Sequence, residues 1–246
     1  MKILLVRHAE PDYAIDSLTP KGKREAELLS HRLAKLTDVE AVYCSPLGRA
    51  RDTAAYTLEK TGWNCEILPW LQEFRGRAFD EKTGELGPSW DYPPRMWKAH
   101  PLFATRNWLQ EPLYARGNMK QIWQETCEGL DRMLAHHGFV REGPVYRCEN
   151  NRKKTLILFC HFAISMAMLA HLTEIPPLLL WQGMCMPPSS VTTLITEERI
   201  RGEVVFRCIG MGDIGHLDTA GEHFSTAGLF PEVYTGRDST EPEEWG

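Results

Sequence analysis

The chain lacks any apolar run long enough to span a bilayer; even "IPPLLLW" (175–181) is short and carries two prolines. It also lacks paired cysteines. Seven cysteines, an odd number, stand singly at positions 44, 65, 127, 148, 160, 185 and 208, so neither a C-x-x-C zinc or redox site nor a disulfide framework is encoded. A reducing, cytoplasmic setting is the expectation. There is no excess of positive charge: 28 Lys and Arg against 33 Asp and Glu give a formal net charge of -5, which removes the field a nucleic acid would need. The first apolar run, Lys2 to Val6, is too short for a signal segment and is followed by charges. Repeats and low-complexity linkers are missing too, which leaves an ordinary globular chain with no expected membrane or nucleic-acid partner.

What is present is alternation. The 246 residues, 43% of them hydrophobic, can bury a large core, and a single domain over 1–246 is expected. After the strand at Lys2–Val6, Thr19-Pro20 reads as an N-cap followed by proline at the first helical position, and Ala26, Leu29, Leu33 and Leu36 recur at helical spacing. "EAVYCSP" (40–46) reads as a second strand, with a helix stripe at Leu47, Ala50, Ala54 and Leu58. "NCEILP" is a third strand. "KTLILFCH" (154–161) reads as a central strand buried on both faces, followed at once by a helix over Ala163–Leu172. "SSVTTLI" and "EVVFRCI" close the sheet as a hairpin around Arg201-Gly202. The pattern predicts a three-layer α/β/α sandwich around a mostly parallel sheet. Residues 74–117, rich in Trp, Tyr, Pro and Arg, read as an insertion capping one end of the sheet, and from about 218 to 246 the tail turns irregular.

Open α/β sheets bind ligands at the carboxyl ends of their strands. Arg7 and His8 end the first strand, Ser45 to Arg49 span the end of the second, Glu73 lies past the third and His161 ends the fourth. Taken singly, each has a commonplace explanation as a solvated or hydrogen-bonded strand end. Four such coincidences at one end of one sheet point instead to an anion site. Arg49 is the most telling, because a cation at a helix N-terminus opposes the dipole unless an anion lies between them.

These segments, "LLVRHAE" with "LTPKG", "VYCSPLGRARDTA", "LQEFRG" and "FCHFAI", resemble the histidine phosphatase superfamily, the phosphoglycerate-mutase-like proteins, in type, order and spacing over residues 1–76 and 154–173. "SSVTTL" and "GDIGHL" are similar to its last strand and closing segment. The resemblance implies that His8 is a nucleophile, that Arg7 and Arg49 grip the phosphoryl group with a protonated His161, and that Glu73 is the acid for the leaving group. It implies a phosphohistidine intermediate, a small phosphoester as partner, and neither metal nor cofactor. A neutral imidazole suits attack on a phosphomonoester dianion once cations neutralise its oxygens. The amides of the helix starting near Phe162 are expected to face the same oxygens.

The sequence departs from the family pattern in places. Ala9 stands where the family usually has Gly, Ala14 where many members carry a phosphate-contacting Asn, and Phe162-Ala163 where Gly-Gly is common. The short stretch from His8 to Leu18-Thr19 and the "QEFRGR" continuation favour a phosphatase over a mutase, with a mutase or a phosphate-binding protein as alternatives. Tyr13, Phe162 and Arg75 are candidate substrate contacts. The insertion's Trp90, Tyr92, Trp97, Trp108 and Tyr114 either pack a cap or dimer contact, or form a lid in which one or two of Arg75, Arg77, Arg95, Lys98, Arg106 and Arg116 read a second anion. A monomer and a homodimer are both compatible with the sequence. His136-His137-Gly138 reads as a helix end, and His216 as a residue that could approach the pocket.

Overall fold

The computed structural model describes residues 1–80, 84–92, 94–229 and 232–233. Its main strands are β1 (Lys2–Arg7), β2 (Val39–Cys44), β3 (Cys65–Ile67), β4 (Val140–Glu142), β5 (Val145–Arg147), β6 (Thr155–Cys160), β7 (Val191–Ile200) and β8 (Glu203–Asp213). The main helices are α1 (Pro20–Leu33), α2 (Gly48–Thr61), α3 (Met119–His136), α4 (Phe162–Thr173), α5 (Pro177–Gly183) and α6 (Gly215–Ala220).

The strands form one sheet in the order β3-β2-β6-β1-β7-β8-β5-β4. From β3 to β1 every pairing is parallel; from β1 onward, through β7, β8, β5 and β4, every pairing is antiparallel. The sheet is therefore mixed, because β7 runs antiparallel to β1 and a tight turn at Gly202, with φ of 82°, then returns β8 beside β7. The parallel half carries the polar strand ends.

Period-two alternation sorts the continuous apolar strands onto two faces. Leu4, Val6, Val42, Cys44, Ile157 and Phe159 pack with Leu29 and Leu33 of α1 and Ala50 and Ala54 of α2. Ile3, Leu5, Tyr43, Leu156 and Leu158 pack on the other side with Leu130 and Leu134 of α3 and the residues of α4. Nine of the twelve residues of α4 are buried, so this helix lies inside the second layer.

Thr19 caps α1 by accepting the Gly22 amide at 3.0 Å, and Pro20 opens the helix. Residues 77–116 fold as short pieces: a hairpin of Arg77–Phe79 with Leu86–Pro88, a helix Pro94–Lys98, and single turns to Ala115. Tyr92, Phe103, Trp108 and Tyr114 are buried together, with Phe103 and Tyr114 edge-on at 5.0 Å. That is the packing role among the two weighed for these aromatics. α3 ends at His136, and Gly138 turns the chain with φ of 87° while His137 bridges Glu40 and Tyr43. The tail keeps helical form to Ala220 and continues without regular structure to 229; most of its later residues lie outside the described set.

Candidate active site

Four parallel-strand ends bring the predicted polar residues together. Arg7 is the last residue of β1 and His8 follows it; they are 3% and 2% exposed. His161 caps α4 directly after β6 and is fully buried, with its ring centroid 5.2 Å from that of His8. Arg49 is the second residue of α2, and Glu73 follows the short turn Pro69–Leu71 beyond β3.

The orientation of the His8 ring is set by its own chain. Its Nδ1 lies 2.8 Å from the Ala9 carbonyl, which can only accept, so the proton is on Nδ1 and the lone pair on Nε2. Burial first, then the charges of Arg7 and Arg49, hold the imidazole well below its ordinary pKa, which keeps that lone pair available. The Ala9 amide in turn donates to Thr53 Oγ1 at 2.9 Å, and this hydroxyl donates to the Arg49 carbonyl at 2.7 Å. Thus α2 positions both the residue after His8 and a cation.

His161 differs from expectation. Burial, followed by the charges of His8, Arg49 and Arg7, pushes its pKa well below the usual range, which favours the neutral ring over the protonated one the resemblance implies. Its Nε2 is 2.7 Å from Ser45 Oγ, which also accepts the Leu47 amide at 3.2 Å. Its Nδ1 is buried with no partner among the described residues, as are Arg7 Nε and Arg49 Nε.

Glu73 accepts two amides on one oxygen, from Phe74 at 2.8 Å and Ile164 at 3.0 Å. Burial nevertheless raises its pKa, outweighing those amides and the charges of Arg49 and Arg7. The Ile164 amide belongs to the first turn of α4, so part of that helix N-terminus serves the carboxyl group rather than being left for a phosphoryl oxygen.

The anion anticipated beside Arg49 comes from the chain itself. Asp16, whose backbone is left-handed with φ of 48°, accepts the Gly48 amide and Arg49 Nη1, each at 2.6 Å. It lies in the short hairpin made by Pro11–Asp12 and Ser17–Leu18. A Cβ on Gly48 would sit 2.0 Å from the Asp16 carbonyl, so glycine is what admits this loop to the helix end. Asp16 and Thr53 were not singled out from the sequence, and Ser45 only as the start of the 45–49 span; Gly48 beside Arg49 was the available signal for Asp16.

Tyr13 lies between the arginines: the Arg49 guanidinium is 5.3 Å from its ring centre, and the Arg7 charge acts on its phenol. Phe162 lines a cavity of about 190 Å³ that reaches Arg7. Arg75 does not line it. Its side chain is exposed and borders a separate cleft of about 20 Å³ beside Gln72, Glu73 and Glu125. Arg77 and Arg95 are also exposed, Arg106 pairs with Glu174, and Arg116 covers Phe79, so none of these cap arginines is a wall of the cavity. His216 bonds Ser189 Oγ at 3.2 Å and faces Arg32, away from that cavity.

A sequence model of the histidine phosphatase superfamily (branch 1) matches residues 3–142. The chain belongs to the histidine phosphatase superfamily. Solved structures with the same fold include a phosphoserine phosphatase from Entamoeba histolytica, crystallised as a mutant with phosphoserine. It is 18% identical, with 88% of this chain and 98% of that one covered and a TM-score of 0.58. A mycobacterial glucosyl-3-phosphoglycerate phosphatase is likewise 18% identical, with 86% and 98% covered and a TM-score of 0.58. The Entamoeba enzyme has also been solved with 3-phosphoglyceric acid, at a TM-score of 0.56. Comparison with curated proteins finds no match. Among the described residues there is no helix long and apolar enough to cross a membrane, and no group of three or more His, Cys, Asp or Glu able to hold a metal.

Proposed function

We propose that the protein is a phosphomonoesterase that transfers the phosphoryl group of a small phosphorylated metabolite to His8 and then to water. The observation that carries this reading is the buried set of donors without acceptors, Arg7 Nε, Arg49 Nε and His161 Nδ1, around an imidazole whose Nδ1 is already engaged. Buried polar atoms without partners are rare, and three at one site suit a tetrahedral anion.

In the first step the Nε2 lone pair of His8 attacks phosphorus in line as the bond to the leaving oxygen breaks, and protonated Glu73 gives that oxygen its proton. Its raised pKa favours the acid form this requires. In the second step the Glu73 carboxylate takes a proton from water, the water oxygen bonds to phosphorus, and the phosphorus–nitrogen bond returns its electrons to His8. Arg7 and Arg49 hold the equatorial oxygens through both steps. With Ser45 donating its one hydroxyl hydrogen to His161 Nε2, the His161 proton sits on Nδ1, so the neutral ring still donates to the anion. Arg7 Nη1 and Nη2 donate to the Met186 and Ala227 carbonyls at 2.5 and 3.5 Å; phosphate oxygens replace neutral acceptors with charged ones, roughly twice as strong.

The test is rapid mixing with a radiolabelled phosphomonoester, quenched in base. The expected result is a protein-bound, acid-labile label that turns over to free phosphate and is lost in His8→Ala. Isomerised phosphoester without phosphate release would instead establish a mutase. Binding without label or turnover would refute catalysis.

A further inference from the structure

The segment 184–190, which joins α5 to β7, holds the Arg7–His8 step at three points. The Arg7 amide donates to the Ser190 carbonyl at 3.1 Å, the Ser189 amide donates to the His8 carbonyl at 2.9 Å, and Arg7 Nη1 donates to the Met186 carbonyl at 2.5 Å. The first two bonds set the backbone from which both side chains depart. The third restrains the guanidinium itself. Whatever fixes this segment therefore fixes Arg7 and His8.

The segment is not in a conformation it would hold unaided. Ser189 is left-handed, with φ of 59°, which is costly for a serine and persists where the surroundings over-determine it. Two contacts from outside the segment do so. A Cβ on Gly212 of β8 would lie 2.8 Å from the Cys185 carbonyl, so β8 closes directly against the segment. His216, in α6, reaches Ser189 Oγ through Nε2 at 3.2 Å, and both residues are buried. The direction of that bond follows from the other ring nitrogen. Arg32 Nη1, which can only donate, lies 3.5 Å from His216 Nδ1, so Nδ1 carries the lone pair and Nε2–H donates to the serine hydroxyl. Burial, then the Arg32 charge, lowers the His216 pKa to about 4, which favours this neutral form at pH 7. His216 is not a wall of the cavity beside Arg7, so its route to the anion site runs through Ser189.

We propose that His216 is a positioning residue for the anion site: by donating to Ser189 Oγ it holds the left-handed turn from which residues 186–190 fix the Arg7 guanidinium and the His8 backbone. The kinetic consequence rests on the phosphatase reading; the consequence for anion binding does not.

The test is a double-mutant cycle read by calorimetric titration with inorganic phosphate and by turnover of p-nitrophenyl phosphate. Glycine adopts a φ of 59° without cost and offers no hydroxyl, so Ser189→Gly uncouples the segment from His216. His216→Ala alone should weaken phosphate binding and lower kcat/KM, each by about tenfold or more. In the Ser189→Gly background the same substitution should change either by less than about threefold. His216→Gln, whose amide can donate in place of Nε2–H, should bind phosphate within about threefold of the unaltered protein, a reading that stands even where His216→Ala does not fold. Equal losses from His216→Ala in the two backgrounds, or an unchanged phosphate affinity in His216→Ala, would overturn the proposal, since the histidine would then only fill space. Phosphate binding that follows the cycle in a protein that turns over no phosphomonoester would overturn the phosphatase reading and leave the positioning role intact. Absence of phosphate binding by the unaltered protein would overturn both.

Discussion

Glu25 offers a test of the structure that needs no substrate. It lies in α1, is fully buried, and its Oε2 accepts the Glu10 amide at 2.8 Å while Oε1 has no partner among the described residues. Burial foremost, reinforced by the Glu10 charge, raises its pKa from 4.5 to about 7. The folded chain therefore holds this proton more tightly than the unfolded chain. Stability from this group is fully present below the unfolded pKa and is lost as pH rises towards the folded one, for a total on the order of 3 kcal/mol. Glu25→Gln keeps the acceptor for Glu10 and removes the ionisation. Urea unfolding of both proteins at pH 5 and pH 8 isolates the effect: the variant should gain about 2 kcal/mol more over the wild type at pH 8 than at pH 5, or about 5 °C in Tm. Parallel pH dependence in the two proteins would refute the buried, raised carboxyl and the placement of α1 against the residues that follow His8.

Gly48→Ala places a Cβ 2.0 Å from the Asp16 carbonyl, so the hairpin must move by about 1 Å and release Arg49; kcat/KM should fall about 100-fold, measured beside a circular-dichroism melt that shows the fold retained. Thr53→Val preserves shape but strands the Ala9 amide; a stability loss of about 1–3 kcal/mol by chemical denaturation should accompany a lower kcat, and an unchanged kcat would remove Thr53 from the orientation of His8. The pH profile of kcat/KM should fall on the acid side only well below 6.5, where His8 takes a proton, and on the basic side above the ordinary glutamate range, where Glu73 loses one. Glu73→Gln, assayed with an ester of a good leaving group, should lose the basic limb and keep the acid one.

Much of the frame was legible because it is local. β6 is buried at every position and apolar at every position after Thr155, and the Thr19-Pro20 start of α1 is where the structure caps it. The strand-end rule drew Arg7, His8, Arg49, Glu73 and His161 to one place without any knowledge of the loops. What escaped depends on tertiary surroundings. Whether Trp90 lines a cavity while Trp108 and Tyr114 fill a core is set by neighbours far along the chain, and no periodicity in 74–117 distinguishes them. The downward shift at His161 could not be read from the sequence, because burial and three neighbouring basic groups act together only in the folded state. Asp16 was missed because a left-handed residue in a short hairpin carries no pattern.

The same loop explains why the motifs around His8 are so spread out. A Cβ on Gly22 would lie 2.1 Å from the Glu10 carbonyl, as one on Gly48 would lie 2.0 Å from that of Asp16, so the chain after His8 is pressed against the N-termini of both α1 and α2. Each contact then has a polar lock: Thr19 Oγ1 donates to Glu10 Oε1 at 2.7 Å, Glu25 takes the Glu10 amide, Thr53 takes the Ala9 amide, and Asp16 takes the Gly48 amide. The Ala9 carbonyl that fixes the His8 tautomer is held by this frame and not by β1 alone. The glycine in "LTPKG" and the glycine and threonine in "GRARDT" therefore belong to the placement of His8 as much as β1 does, although none of them has chemistry of its own to offer.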